Sequence, residues 1–266
     1  IKTIEDEFGF PVLIRGKGGV RLTENGRALL PAIREILNAN DHMDQIVANI
    51  RGMSFGRLRI GTFASASVLW LPKIIEEFSH DYPGIQIEII VGGNDSLIGQ
   101  LDESCIDFAI MSNPPQGYEW IHLASDRMLV LLPPGHRLVD KDRVTLDEID
   151  DDPFILSNEG FDYDVSQIIK GSGITPRLSF STMENRGIIA MIQHGLGVTV
   201  MPEMVLDSLE SNVITKELAP CEYRHMGIIV KSVHTASLAA KTFISYAKRI
   251  ISELGTYPPI DGELNA

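Results

Sequence analysis

"LRIGTFASASVLWLPKIIEEFSHDYPGIQIEIIVGGNDSLIGQLDESCIDFAIM", residues 58–111, decides the fold class. Leu58 to Phe63 reads as a buried strand. A helix follows through Leu69 to Phe78, with Pro72 near its start, where a missing N–H costs little. Ile85 to Val91 is β-rich, Asn94 to Ser104 is helical, and Asp107 to Met111 is a third short strand. Strands alternating with helices predict an α/β fold whose parallel sheet is covered on both faces.

The alternation resumes downstream. Met128 to Leu132 is a strand ending in Pro-Pro-Gly, and the charged run "VDKDRVTLDEIDDDP" after it faces solvent. Strands are expected at Phe154–Leu156, Leu178–Ser181, Val198–Met201 and Met226–Lys231, with helices around Val165–Lys170 and Arg186–His194. Ala239 to Leu254 is an amphipathic helix with Phe243, Ile244, Ala247, Ile250 and Ile251 on one side. Residues 255–266 hold two prolines and few anchors, the composition of a flexible tail.

Upstream lies "RGKGGVRLTENG", Arg15 to Gly26, with Thr23 suited to cap the helix that follows. Leu29, Ile33, Ile36, Asn40, Met43, Val47 and Ile50 recur at spacings of four and three, which is a heptad seam. The seam suits pairing with a second copy of the helix. Packing on the chain's own body, with Asn40 at the edge of the stripe, is the less favoured alternative. Gly52 and Ser54 to Gly56 then read as a hinge.

The chain of 266 residues carries a formal net charge of −13, yet residues 1–56 are neutral, with seven basic and seven acidic residues. An acidic body does not grip nucleic acid, so any such contact belongs to the front. Two cysteines, Cys105 and Cys221, suit a reducing compartment such as the cytoplasm rather than a disulfide scaffold. The first ten residues lack the apolar core of a signal peptide, and no run is long enough to span a membrane. The glycine-rich loop does not fit a nucleotide-phosphate motif, because Lys17 comes too early. No His pairs with another His or Cys at metal-ligand spacing, no nucleophile elbow is present, and no acid–base pair stands out, so neither a metal, a cofactor nor an enzymatic activity is expected.

Polar loops close several expected strands: Thr62–Ser67, Gly92–Ser96, Ser112–Pro115, Ser157–Asp162 and Ser181–Asn185. In open α/β sheets ligands bind at such strand ends, which points to a cleft for a small polar molecule. Turn and capping chemistry favours the same residues, so composition leaves the two readings level.

"EDEFGFPVLIRGKGGVRLTENGRALLP" resembles the end of the winged helix-turn-helix of a LysR-type transcriptional regulator, through Gly9, Pro11, Leu13, Arg15, Leu22, Thr23 and Gly26. "GRLRIGT", "LPKIIEEFSHDYPGIQIEI", "DFAIM", "LPPGHRL", "DDPFIL" and "GLGVTVMPE" resemble the family's effector-domain landmarks in order and spacing. The resemblance implies a two-subdomain effector domain of periplasmic-binding-protein type, preceded by a winged-helix remnant with its wing (residues 1–23) and a long linker and dimerisation helix (24–52). One subdomain would comprise residues 57–125 and 230–254, the other 126–229, with a flexible tail at 255–266. It implies DNA, a small-molecule effector and a second copy in a homodimer or homotetramer as partners, and no membrane.

Effector contacts carry over to Phe63, Ser65, Ala66, Asn94, Asp95, Ser112, Asn113, Ser157, Phe161, Asp162, Thr182 and Met183, and DNA-backbone contacts to Arg15, Lys17 and Arg21. Phe63 and Asp95 depart from the small hydroxyl residues common at their positions. An unpaired Asp95 in the cleft would disfavour carboxylate effectors, and an inward-turned Arg186 would reverse that. The family's first DNA-binding helices would precede Ile1, so sequence-specific DNA binding is not expected of this chain alone. The same fold would also serve a solute-binding receptor, a rival that the linker helix argues against.

Overall fold

The computed structural model describes residues 1–16, 19–50, 55–113, 116–157, 163–182, 184–209 and 213–257. The first half of the chain forms α1 (Lys2–Phe8), β1 (Leu13–Gly16), β2 (Gly19–Leu22), α2 (Glu24–Ile50), β3 (Phe55–Thr62), α3 (Ala64–Leu69), α4 (Leu71–Asp81), β4 (Gly84–Val91), α5 (Asn94–Asp102), β5 (Phe108–Ser112) and β6 (Glu119–Leu132). The second half forms β7 (Arg143–Val144), β8 (Pro153–Ser157), α6 (Tyr163–Ser172), β9 (Arg177–Thr182), α7 (Asn185–Gln193), β10 (Thr199–Pro202), α8 (Glu203–Ser208), β11 (Ile214–Leu218), β12 (Tyr223–Val230) and α9 (Leu238–Leu254).

At the front, β1 and β2 pair as an antiparallel hairpin with Leu13 opposite Leu22. Backbone N–H groups of Val12 and Leu13 donate to Glu5 Oε1 at 2.8 and 3.0 Å, tying α1 to the hairpin. The Thr23 hydroxyl accepts from Gly26 N at 2.9 Å and donates to the Pro11 carbonyl at 2.9 Å, so one side chain caps α2 and pins it to the preceding loop. Gly26 is required there, because a Cβ would stand 2.2 Å from the Val12 carbonyl oxygen.

The linker helix presents two different faces. Its polar face docks on the body: Arg34 Nη1 donates to Glu103 at 2.7 Å, Asn38 Nδ2 to the Ser104 carbonyl at 3.1 Å, and Lys231 Nζ to Glu35 at 3.0 Å. On the heptad stripe, Leu29 is half-buried while Ile33, Ile36, Met43 and Val47 are exposed. Asn40 is exposed too and bonds Asp44 one turn on within the same helix.

One sheet runs through both halves of the body, in the order β4-β3-β5-β12-β6-β11-β7, with β10 also on β6. The strands β4, β3 and β5 are parallel, as the alternation predicts. The sheet as a whole is mixed, which corrects the all-parallel expectation: β12 runs antiparallel to both β5 and β6, and β10 and β11 antiparallel to β6. The reason is the path of the chain. The 14-residue β6 carries it from one half into the other, and a strand that brings it back beside β6 must run the opposite way. β12 pairs along its whole length with the part of β6 between Glu119 and Arg127, while β10 and β11 pair with the far end of β6. Gly227 sits at a bulge in this ladder, where a Cβ would meet the Ile121 carbonyl oxygen at 2.4 Å and the Trp120 ring at 2.6 Å.

Separate cores form on the two halves. Trp70, Phe78, Phe108, Met226 and Phe243 fill the first, under α4 and α9, with the Phe78 and Phe243 rings 5.1 Å apart at 62°. Leu97, Leu101 and Ile106 form a separate cluster beneath α5, on the opposite face of the sheet. In the second half Val130, Phe154, Val165 and Val200 pack on one side, and Leu131, Ile155, Ile188 and Met201 on another. Burying each such side chain contributes roughly 1.5–3 kcal/mol. β8 and β9 form a parallel pair of their own, joined to the rest by Val198, which bridges Phe154.

The helix expected from Leu69 to Phe78 is two helices that meet at Trp70. Gly56, expected in a hinge, lies in β3, and residues 52 and 54 of that hinge lie outside the described residues. Among the described residues no helix is long and apolar enough to cross a membrane.

Candidate ligand-binding cleft

The parallel strands β4, β3 and β5 end at one edge, since Thr62 lies opposite both Val91 and Ile110. Their exits carry Phe63 and Ser65, Asn94, and Ser112 and Asn113. On the other half, Ser157 and Thr182 are register partners at the ends of β8 and β9. The loops are stitched together. Asn94 Nδ2 donates to the Ser112 carbonyl at 2.9 Å. Asn113 takes a left-handed backbone conformation with φ 48°, which an Asn tolerates, and its N–H donates to the His225 carbonyl at 3.2 Å.

Across the cleft stands Asp164, in the first turn of α6 and buried. The Ser112 hydroxyl donates to its Oδ2 at 2.9 Å, and Asn113 Nδ2 donates to its Oδ1. A carboxylate from one half is thus held at both oxygens by donors from the other. Burial pushes its carboxyl above the usual range, against the pull of Arg224 and of those two hydrogen bonds.

Arg224, near the start of β12, is the buried cation of the region. Its Nη2 donates to Asp126 Oδ2 at 2.6 Å, and its guanidinium lies 4.8 Å from the centre of the Phe63 ring. Asp126 is fully buried and also accepts from Met204 N at 3.1 Å. Burial raises its carboxyl above the usual range, with Arg224 opposing. Beside this pair Ser125 Oγ lies 2.9 Å from His225 Nδ1 and 3.3 Å from His122 Nε2, and burial lowers the His122 pKa. Two buried polar atoms here have no partner among the described residues: Ser65 Oγ and Arg224 Nε.

The expected contact residues divide accordingly. Phe63, Asn94, Ser112 and Asn113 belong to the connected set just described. Ser65 is buried with an unpaired hydroxyl, and Ser157 is buried at its strand end. Thr182 Oγ1 accepts from Glu184 N at 3.2 Å. The Ala66 side chain packs into the first core. Asp95 is exposed in the first turn of α5 and Arg186 is exposed on α7, while Asp164 and Asp126 are the buried carboxylates among the described residues here. Phe161, Asp162 and Met183 lie outside the described residues. On the wing, Arg15 and Arg21 are exposed, and Lys17 lies outside the described residues. Sequence reasoning missed Asp164, Arg224 and Asp126. Their one local signal was a charge set inside an apolar run, as in "YRHMGIIV".

The LysR substrate binding domain family matches residues 51–251. The chain is 34% identical over 253 residues to YvbU of Bacillus subtilis (strain 168), an uncharacterized HTH-type transcriptional regulator, covering 94% of this chain and 87% of that protein. The structure of a full-length OxyR variant from Pseudomonas aeruginosa superposes with a TM-score of 0.73 at 21% identity, covering 94% of this chain and 83% of that one. The CcmR regulatory domain of Synechocystis PCC6803, in complex with 2-PG, superposes with a TM-score of 0.67 at 20% identity, covering 74% of this chain and 98% of that one. Sequence family and fold agree, and the chain belongs to the LysR family of transcriptional regulators.

Proposed function

We propose that a small polar metabolite enters the cleft between the two subdomains and shifts the geometry of a homo-oligomer that regulates transcription. The observation that carries this reading is the cross-cleft set of Ser112, Asn113 and Asp164 beside a buried, unpaired Ser65 hydroxyl. A ligand that binds the two subdomain arrangements unequally shifts their populations by that difference in affinity. That the related CcmR regulatory domain was solved with 2-PG supports a small-molecule site in this fold. The contacts assigned are Phe63, Ser65, Asn94, Ser112, Asn113, Ser157 and Thr182, with Arg224 and Asp164 added. Residues 57–125 and 230–254 make one subdomain and 126–229 the other. The pairing of β12 with β5 supports moving residues 223–229 to the first, so that the returning crossover lies just before Tyr223.

The open apolar stripe on α2 pairs with the same helix of a second copy. The wing residues Arg15 and Arg21 touch DNA phosphates, which positions a protein without reading sequence. The site of action is the cytoplasm, where the DNA is, and the chain performs no catalysis. Family membership favours this over a solute-binding receptor of an importer.

A thermal-shift screen of metabolites on the full chain tests the reading, with Ser65→Ala beside it and sedimentation recorded for Ile36→Glu. At least one metabolite is expected to raise the melting temperature, with the response weakened by Ser65→Ala, and Ile36→Glu is expected to lower the oligomeric state. A response that ignores every cleft substitution would defeat the proposal.

A further inference from the structure

We propose that Asp164 is a built-in occupant of a carboxylate receptor, and that the effector is a small monocarboxylate that takes its place. The inference rests on the cleft being the effector site and names the ligand class.

The receptor is defined by its donors. The Ser112 hydroxyl and the Asn113 amide each donate to a different oxygen of one carboxylate, and both donors come from the end of β5 while the acceptor comes from α6. One donor per oxygen favours a carboxylate, because it can accept both bonds at once, whereas an amide fits only if the Ser112 hydroxyl turns from donor to acceptor. The Arg224 guanidinium adds positive charge felt at Asp164, and its Nε has no partner among the described residues. The Ser112 and Asn113 donors are therefore already engaged from within the chain.

A tethered occupant competes at an effective concentration on the order of millimolar, so a bare carboxylate does not displace it. A competitor needs a body that makes further contacts. Space for one adjoins the receptor: a cavity of about 570 Å3 opens on Asn113 and Asp164 and is walled by Leu146, Ile168, Leu218 and Tyr223. That is the size of a small-molecule site. Asp147 and Glu222 also line the cavity, and among the described residues its lining includes no lysine or arginine. A second negative charge on the ligand would be repelled, so the body carries no further anionic group.

Calorimetric titration of the full chain with butanoate, butanamide, succinate and butylamine tests this, in wild type, Asp164→Ala and Asp164→Asn. Asp164→Ala is expected to bind butanoate at least about tenfold more tightly than wild type, with no gain for butanamide and a smaller one for succinate. Asp164→Asn keeps the side-chain volume and should fall between them, which holds the test open if the alanine variant does not fold. Adding Ser112→Ala to either variant should erase the gain. Unchanged butanoate affinity in both variants overturns the proposal, as does an equal gain for butanamide. Butylamine binding that is lost with the Asp164 carboxylate overturns it too, in favour of a cationic ligand. A neutral metabolite that binds in the cleft with sensitivity to Ser65→Ala would sink this inference and leave the effector cleft standing. If none of the four compounds binds any of the proteins, this inference falls, and the effector cleft is judged by the metabolite screen.

Discussion

Replacing Arg224 by Met isolates the buried electrostatics on which the two halves meet. The substitution keeps an unbranched side chain of similar reach but removes the side-chain cation bonded to Asp126, whose residue surface is 0% exposed. Breaking a buried ion pair on one side costs about 3–5 kcal/mol, because the remaining charge is left in a medium that solvates it poorly. The surviving bond from Met204 N offsets part of this, while the lost stacking on Phe63 adds back about 1 kcal/mol. At about 2–4 °C per kcal/mol for a chain of this size, the melting temperature should drop by roughly 6–20 °C.

The pH dependence gives the sharper test. Burial raises the folded-state pKa of both Asp126 and Asp164, and Arg224 pulls both down. A carboxyl raised in this way contributes stability that is fully present below its unfolded pKa and is lost as pH rises through the folded value. Without Arg224 both folded values climb further, so ionisation costs more. The deficit of Arg224→Met relative to wild type should therefore be larger near about pH 8 than near about pH 5, read by urea unfolding at both. Adding Asp126→Asn should recover part of the loss at the higher pH. A deficit below about 1 kcal/mol, or one equal at both pH values, refutes the reasoning.

Gly227→Ala forces a Cβ against the Ile121 carbonyl oxygen and the Trp120 ring, and the backbone of β6 cannot yield, so a loss of about 3 kcal/mol is expected by calorimetry. Phe243→Ala empties a fully buried position between Phe78 and Phe108 and should cost about 3–5 kcal/mol in chemical denaturation. Thr23→Ala removes the cap of α2, and hydrogen exchange should show its first turn loosened by about 1 kcal/mol while Thr23→Ser retains protection.

Local chemistry alone determined much of this protein. Periodicity marked β4, α7 and α9 nearly to their ends, because one-sided burial writes a period of two or 3.6 into a segment that packs on a core, and a short continuous apolar run marked β5, which is buried on both faces. Thr23 declared the start of α2, since capping is settled within three residues. The order of landmarks identified the family. The length of β6 was not legible, because its two ends pack into different cores and the residues between, Ser125 to Arg127, are polar. The direction of β12 was not legible either, because antiparallel return is a property of the path between the halves and leaves no local pattern.

The cleft divides in the same way. Loops after strands could be named, because strand ends need turn residues, and Ser112 and Asn113 were found by that rule. Which acid faced them could not. Asp95 was the acid that the loops offered, while Asp164 lies 52 residues from Ser112, and Arg224 lies 98 from Asp126. The first pair exists because α6 meets the end of β5 across the cleft, and the second because β12 returns beside β6 in register. A side chain's type is a local fact, but whether its charge is buried, and beside what, is decided when distant segments exclude water together.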